Sequence, residues 1–275
     1  MYIYTISVYH DIIKIRRKRY RREIKTMKKF ICTLVATILI ISSLLPIGSA
    51  AASKESDYNG KIISVLGDSI STYEGYIPAS DGYNLEHLAR YPQDNLFTGV
   101  EHTWWMQVIE RLGAKLGVND SWRGTTVDGK NATDKTAISN VQRIKNLGAN
   151  GSPDVILLYG ATNDYGQLNN IDSFDKSKIP AEVDLKTIQW KSLSQAFVNT
   201  IMRLQYFYPD AQIVVILPAR TKSYYPMSKL HSGNKLLISI CEHFGLPYVD
   251  LRTCGIEMSA AAKLFKNELD VDLSV

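Results

Sequence analysis

Five short segments of the chain are rich in apolar residues and are separated by longer stretches with helical periodicity. The five segments are Ile62–Leu66, Gly117–Asn119, Asp154–Tyr159, Gln212–Leu217 and Pro247–Leu251. The third and fourth are near-continuous apolar runs, a pattern typical of strands covered on both faces of a parallel sheet. The second gives the weakest strand signal.

Apolar positions between these segments repeat with the spacing of one helix face. Three such faces consist of Trp105, Val108, Ile109, Leu112 and Leu116; of Ile138, Val141, Ile144 and Leu147; and of Leu193, Phe197, Ile201 and Leu204. A fourth helix is predicted from about Ser228 to Phe244. Because strands and helices alternate, the sequence predicts one three-layer α/β/α domain over residues 54–275, with a parallel five-stranded sheet between helices.

The start of the chain has the order of a targeting segment. Lys28 and Lys29 precede an uncharged apolar run, 30–45, which is followed by Pro46 and a string of small residues ending at Ala52. This order predicts a secretory signal peptide over residues 27–52 and an extracellular protein that meets the membrane only through it. The run has about 16 residues where a membrane span needs roughly 20, which disfavours a retained transmembrane helix. We interpret residues 1–26 as an over-extended gene start.

Charge and cysteine content narrow the possible partners. The 275 residues carry a formal net charge of +5, but residues beyond 29 hold 22 Lys/Arg against 25 Asp/Glu. This balance argues against a nucleic-acid partner. Cys241 and Cys254 form either a disulfide or two buried thiols. No CxxC or His-rich spacing indicates a metal, and we expect no cofactor.

Polar residues stand where three predicted strands end, which is where open parallel sheets bind ligands. Ser69 follows the first strand after a Gly-Asp turn, Gly124 lies beyond the second, and Asn163 follows the third. A serine hydroxyl can attack a carbonyl, while backbone N–H groups and an Asn amide can hold the resulting oxyanion. Taken singly, each also fits an ordinary loop, a turn glycine or an Asx-turn.

Taken together, these segments resemble the first three sequence blocks of the SGNH (GDSL-type) hydrolases. The matching stretches are Gly67-Asp68-Ser69-Ile70-Ser71, Gly124 within Asn119–Gly124, and Gly160-Ala161-Thr162-Asn163-Asp164. The resemblance covers about residues 61–255. It implies a flavodoxin-like α/β/α fold in which Ser69 attacks an ester, while the N–H groups of Ser69 and Gly124 and the Asn163 side chain hold the oxyanion.

One family feature is missing from this sequence. Members carry a late Asp-x-x-His block whose histidine is the general base, whereas residues 251–275 contain no histidine. We interpret this as a chain truncated or frame-shifted near its C-terminus, with a degenerate enzyme as the alternative. His87 and His102, in the long segment Tyr73–Thr103, are less favoured substitutes. His231 and His243 belong to the last predicted helix, His243 at its C-terminal end.

The leading functional hypothesis is a secreted serine esterase that acts on a small-molecule or glycan ester, in particular acetyl groups on extracellular carbohydrate. The alternative is a catalytically impaired carbohydrate-binding protein on the same fold. A nucleotide binder is disfavoured, because no Gly-rich phosphate-binding loop follows the first strand. Aromatic candidates for stacking on sugars are Tyr73, Tyr76, Tyr83, Tyr91, Trp104 and Trp105, although Trp105 is expected in the core. The oligomeric state stays open.

Overall fold

The computed structural model describes residues 57–77, 89–92, 98–129, 137–219 and 226–250. The predictions for residues 1–52, Tyr83, His87, Cys254 and the rest of the chain beyond Asp250 lie outside this part. The strands are β1 (Ile62–Gly67), β2 (Lys115–Ser121), β3 (Val155–Tyr159), β4 (Gln212–Ile216) and β5 (Tyr248–Val249). The helices are α1 (Trp104–Leu112), α2 (Val141–Asn146), α3 (Thr162–Gln167), α4 (Leu193–Phe207) and α5 (Met227–Phe244), and three 3₁₀ turns are Ser69–Ser71, Val100–His102 and Lys176–Lys178.

The five strands form one parallel sheet in the order β2-β1-β3-β4-β5. This confirms the predicted fold class. Strands β1 and β3, which precede two of the predicted site segments, are neighbours, and β2 lies on the other side of β1. The carboxyl ends of these three strands therefore share one edge of the sheet.

Side chains of the central strands alternate between two apolar layers. Val155 and Leu157 of β3 pack with α1, whereas Ile156 and Leu158 join a larger cluster that includes residues of α2, α4 and α5. Strand β3 is buried throughout, which explains its unbroken apolar sequence. Trp105 is fully buried on the α1 side, as expected from its helix face.

Two predicted helices are shorter than their apolar faces suggest. Helix α1 ends at Gly113, which has a left-handed backbone with φ of 65°, so Leu116 belongs to β2 and not to the helix. Helix α2 begins only after Asn140, whose side chain accepts from the N–H groups of Gln142 and Arg143. Ile138 is thus buried outside the helix. A polar cap and a C-terminal glycine override the hydrophobic periodicity here.

Helix α3 and the full length of β2 are not predicted by the sequence pattern. In both places backbone pairing and tertiary contacts decide the structure. No helix in the described ranges is both long and apolar enough to cross a bilayer.

Candidate active site

The carboxyl ends of three adjacent strands carry the segments that the sequence singles out. Gly67, the last residue of β1, pairs with Ser121 of β2 and with Tyr159 of β3. Within four residues these strand ends are followed by the predicted site residues Ser69, Gly124 and Asn163. The structure therefore brings the three segments to one edge, as open parallel sheets require of a ligand crevice.

Ser69 begins a 3₁₀ turn that its neighbours fix on both sides. The Asp68 carboxylate accepts from the Ile70 N–H at 3.0 Å, which caps the turn. The Ser69 carbonyl accepts from the Thr72 N–H at 3.3 Å and from the Thr72 hydroxyl at 2.8 Å. Ser69 is 8% exposed. Its backbone is thus held in place at the edge of the sheet.

Gly67 allows this turn to form because the backbone is crowded there. A Cβ at this position would lie 2.8 Å from the Ser71 hydroxyl, and 3.0 Å from both the Ser121 hydroxyl and the Tyr159 carbonyl oxygen. A side chain at this position would force the two hydroxyls and the Tyr159 carbonyl to shift. The three strand ends can approach one another so closely because the residue is glycine.

Gly124 differs from Gly67, because its backbone conformation and not its surroundings requires glycine. Its φ is 75°, in the left-handed region, and a Cβ there would meet no heavy atom within 4 Å. The turn is stabilised by the Thr125 hydroxyl, which donates to the Trp122 carbonyl at 3.0 Å. The open space beside Gly124 lets a substrate atom approach its backbone.

Asn163 lies on the first turn of α3 and is directly joined to the Gly124 turn. Its Nδ2 donates to the Thr125 carbonyl at 2.8 Å, and the residue is 7% exposed. Helix α3 starts after Ala161, whose φ of 84° is rare for a residue with a side chain. Such strained backbone costs roughly 1–2 kcal/mol and is frequent at functional sites.

Asp164, the next residue, also holds the loop that contains Gly124. Its carboxylate accepts from the Val127 N–H at 2.9 and 3.1 Å, and from the Asp128 N–H at 3.2 Å. Burial raises the pKa of Asp164 to about 7; the Val127 hydrogen bond opposes this shift and the nearby Asp128 carboxylate adds to it. The loop after β2 and the helix after β3 are therefore fastened by two consecutive side chains.

Asp68 is also a buried acid beside the candidate nucleophile. Burial raises the pKa of its carboxyl to about 6, and the hydrogen bond from the Ile70 N–H lowers it in part. The edge thus holds two carboxyl groups that titrate near neutral pH.

The arrangement has the parts needed to stabilise an oxyanion. A serine hydroxyl, a left-handed glycine N–H and an Asn amide stand at one edge of the sheet, next to a fixed 3₁₀ turn. Oxyanion donors must be held in place before the reaction to be effective. Within the described ranges, no three His, Cys, Asp or Glu side chains form a metal-binding group.

A profile of the GDSL-like lipase/acylhydrolase family matches residues 61–261. The chain belongs to this family. A comparison with curated proteins finds no match.

One solved structure shares the fold of this chain, and two others are more distantly similar. A protein from Bacteroides ovatus, assigned as a GDSL-like lipase, superposes with a TM-score of 0.51 at 24% identity, over 70% of this chain and 86% of the other. A second such protein, from Bacteroides uniformis, is 28% identical, with a TM-score of 0.48 over 70% and 83% of the two chains. A family two carbohydrate esterase from Cellvibrio japonicus is 14% identical, with a TM-score of 0.43 over 74% and 53%.

In the described part of this GDSL-like chain, no hydrogen bond joins a histidine to Ser69. His102 ends the 3₁₀ turn before α1, is about half exposed, and has its Nε2 4.0 Å from a carboxylate oxygen of Glu101. His243 lies in the last turn of α5, as predicted, with its ring centroid 5.5 Å from that of Phe174. His231 is exposed on the same helix.

Sequence reasoning missed two residues that organise the site of this GDSL-like protein. Asp164 belongs to the third matching stretch, which indicates no role for it, and the sequence does not single out Arg143. Arg143 lies on α2, is 1% exposed, and donates to a carbonyl two residues before Ser69. Arg143 lies beside Ile144 but outside the apolar face of Val141, Ile144 and Leu147, so the hydrophobic pattern gives no signal for it.

Proposed function

We propose that this protein is a secreted serine esterase that hydrolyses acyl esters, and that its substrates are acetyl groups on extracellular carbohydrate. The observation that carries the proposal is the convergence of Ser69, Gly124 and Asn163 at the carboxyl edge of three adjacent strands in a GDSL-like chain. The carbohydrate substrate and secretion rest on the signal-peptide pattern of residues 27–52.

In the proposed reaction, the Ser69 hydroxyl oxygen forms a bond with the ester carbonyl carbon and gives its proton to a general base. The carbonyl oxygen becomes an oxyanion, which accepts from the N–H groups of Ser69 and Gly124 and from the Asn163 amide. Collapse of this intermediate breaks the bond to the alcohol, which leaves with the proton. Water then hydrolyses the acyl-enzyme by the same steps.

Ser69→Ala tests this role, with Ser71→Ala as the matched control. Ser71 lies two residues later in the same 3₁₀ turn and is fully buried. We expect hydrolysis of 4-nitrophenyl acetate to fall at least about 10³-fold in the first variant, since the nucleophile is gone. The second should stay within about threefold. Equal turnover by the wild type and Ser69→Ala would remove Ser69 from the mechanism.

The general base is tested by replacing His102. The residue precedes α1, which begins at the carboxyl edge of the sheet, and its ring lies near the Glu101 carboxylate. If His102 is the base, His102→Ala should lose as much activity as Ser69→Ala, and the pH profile should lose its acid limb. Activity retained in the variant would assign the base to a different group.

A catalytically impaired carbohydrate-binding protein is the second candidate, favoured by the positions of His102 beside Glu101 and of His243 beside Phe174. A serine without an adjacent base is a poor nucleophile. Calorimetric titration with acetylated xylo-oligosaccharide distinguishes the two functions. Binding with no release of acetate would support this candidate, whereas release that depends on Ser69 would support the esterase.

A further inference from the structure

The guanidinium of Arg143, on α2, is a buried cation at the carboxyl edge of the sheet. Its Nε donates to the Asp120 carboxylate at 2.7 Å, and its Nη2 donates to the Gly67 carbonyl at 2.9 Å and to the Asp120 carbonyl at 2.6 Å. Its charge lies 5.5 Å from the centroid of the Trp122 ring. One side chain therefore contacts the end of β1, the end of β2 and the turn that follows β2.

These contacts join the two backbone segments that the proposed reaction must hold together. Gly67 precedes Ser69 by two residues, and Asp120 precedes Gly124 by four. A guanidinium is a planar fork with several donors, so it can serve two carbonyls and a carboxylate at once. The backbone at the two strand ends is thereby fixed in both distance and orientation.

The ion pair of Arg143 and Asp120 is buried, and removing two charges from water costs free energy. Arg143 and Asp120 are both almost completely buried, at 1% and 0% exposure. Burial lowers the pKa of Arg143, and the charge of Asp120 opposes that shift. Buried ion pairs usually add little net stability compared with apolar residues of the same size, so their value is more often geometric.

We propose that Arg143 is a positioning residue for acyl transfer, because it fixes the Ser69 turn relative to the Gly124 turn. This inference rests on the proposed esterase function. The cation does not act on the substrate. It determines how far the nucleophile lies from the oxyanion donor at Gly124, and a displacement of about 1 Å in such a geometry can cost 10²-fold in rate.

Arg203 provides a matched control within the same domain. It is fully buried on α4 and donates to the carbonyls of Asp184, Ser139 and Thr187 at 2.5, 2.5 and 2.8 Å. Its charge lies 5.1 Å from the Trp190 ring centroid. The chemistry matches that of Arg143, but none of these carbonyls belongs to a segment with Ser69, Gly124 or Asn163.

The experiment compares Arg143→Lys with Arg203→Lys. Lysine keeps the charge but loses the planar fork in both variants. We expect similar losses of melting temperature. We expect kcat for 4-nitrophenyl acetate to fall about 10- to 100-fold in Arg143→Lys with KM within about twofold, and to stay within about twofold in Arg203→Lys. Equal kcat losses in the two variants would overturn the proposal, because the effect would then be one of general destabilisation.

Amide hydrogen exchange gives a readout that does not need turnover. In Arg143→Lys the peptides covering Gly67–Ser71 and Ser121–Gly124 should exchange faster than in the wild type, with no such change in Arg203→Lys. Exchange unchanged at both turns would overturn the proposal even if the wild type hydrolyses no ester. Absence of wild-type turnover alone would contradict the proposed function and not the positioning role.

Asp120→Asn covers the case in which Arg143→Lys does not fold. The amide keeps the size of the carboxylate and an acceptor for Nε, but it removes the charge. We expect the same direction of change in kcat and in exchange at the two turns, with a smaller amplitude. A folded Asp120→Asn protein with wild-type kcat and wild-type exchange would overturn the proposal.

Discussion

Gly124 and Gly60 have nearly the same backbone conformation but lie in different parts of the molecule. Their φ angles are 75° and 74°, and a Cβ at either position would meet nothing within 4 Å. Alanine at each should therefore cost only the strain of a left-handed backbone, about 1–2 kcal/mol in the free energy of unfolding. Gly60 lies in a turn before β1, at the opposite edge of the sheet from Gly124.

We predict that Gly124→Ala and Gly60→Ala lose similar stability but differ in activity. The proposed oxyanion donor is the Gly124 N–H, and relief of strain would rotate this peptide away from the oxyanion. Loss of one such donor costs about 10²- to 10³-fold in kcat. Urea unfolding measures the loss of stability in each variant, and kcat for 4-nitrophenyl acetate measures the loss of activity. A Gly124→Ala protein with the kcat of Gly60→Ala would contradict the assigned donor.

Asp164 makes the stability of the protein depend on pH in an unusual direction. Its folded-state pKa is raised from 3.8 to about 7, so the folded protein keeps a proton that the unfolded chain loses. The free energy of unfolding from this group should therefore decrease as pH rises from about 4 to about 7. Asp68, raised to about 6, acts in the same direction over a narrower range.

We predict that Asp164→Asn reduces the difference in unfolding free energy between pH 5 and pH 8 by more than about 1 kcal/mol, because an amide does not titrate. Urea unfolding at both pH values measures this difference. Asp154→Asn is the control, since that carboxylate lies at the amino end of β3 with its pKa lowered by Lys61 and the Ile62 N–H. An unchanged pH dependence in Asp164→Asn would contradict the raised pKa.

The sequence indicates those site residues whose chemistry and position directly after a strand both point to a ligand site. Ser69, Gly124 and Asn163 each follow a strand signal, and their order along the chain supports one site. Arg143 could not be found in this way, because it donates to the carbonyl of Gly67, a backbone atom 76 residues away. Any residue has a carbonyl, so no pattern of residue types points to such a partner.

At the level of secondary structure, apolar runs predicted the strands better than apolar faces predicted the helix ends. Strand β3 matches its sequence signal because both of its faces are covered. Helix α3 gave no signal, since its six residues include a glycine and begin after a left-handed alanine. So short a helix is not stable alone. It forms because Asn163 and Asp164 bind the loop after β2.

Helices α3 and α5 approach one another through a glycine. A Cβ at Gly233 would lie 2.1 Å from two ring atoms of Tyr165, a residue that is fully buried on α3. The Tyr165 hydroxyl hydrogen-bonds the Asn234 side chain at 3.1 Å, which fixes the ring in that position. The side chain missing at Gly233 therefore sets the distance of α5 from the helix that carries Asn163.

We predict that Gly233→Ala destabilises the protein by about 1–3 kcal/mol, because overpacking outweighs the gain of about 1 kcal/mol that alanine usually gives inside a helix. Ser232→Ala, at an exposed neighbouring position, should be neutral or slightly stabilising. In a Tyr165→Leu background the cost of Gly233→Ala should shrink, since the ring is gone. Thermal unfolding of the four variants tests this. Additive losses in the double variant would contradict the contact.

At the scale of the whole molecule, the two faces of the sheet are covered unequally by the described elements. Helices α2, α4 and α5 share one large apolar cluster, whereas α1 covers the other face. The candidate site lies at the carboxyl edge between these layers. It is therefore bounded by the strand ends and by the loops that follow them. This agrees with a rigid scaffold that leaves substrate choice to the loops that follow the strands.

The charge of the whole molecule should change sign if the N-terminal segment is removed. The intact chain has a net charge of +5, while residues 53–275 carry 22 Lys/Arg and 25 Asp/Glu. We predict that the protein secreted by a bacterial host begins close to Ala52 and binds an anion-exchange resin at pH 7.5, as a chain of net charge −3 should. N-terminal sequencing and intact mass locate the cleavage site, and intracellular intact chain serves as the cation-exchanging control. A secreted protein that begins before Lys29, or one that stays in the membrane fraction, would contradict the signal-peptide interpretation and favour an N-terminal anchor.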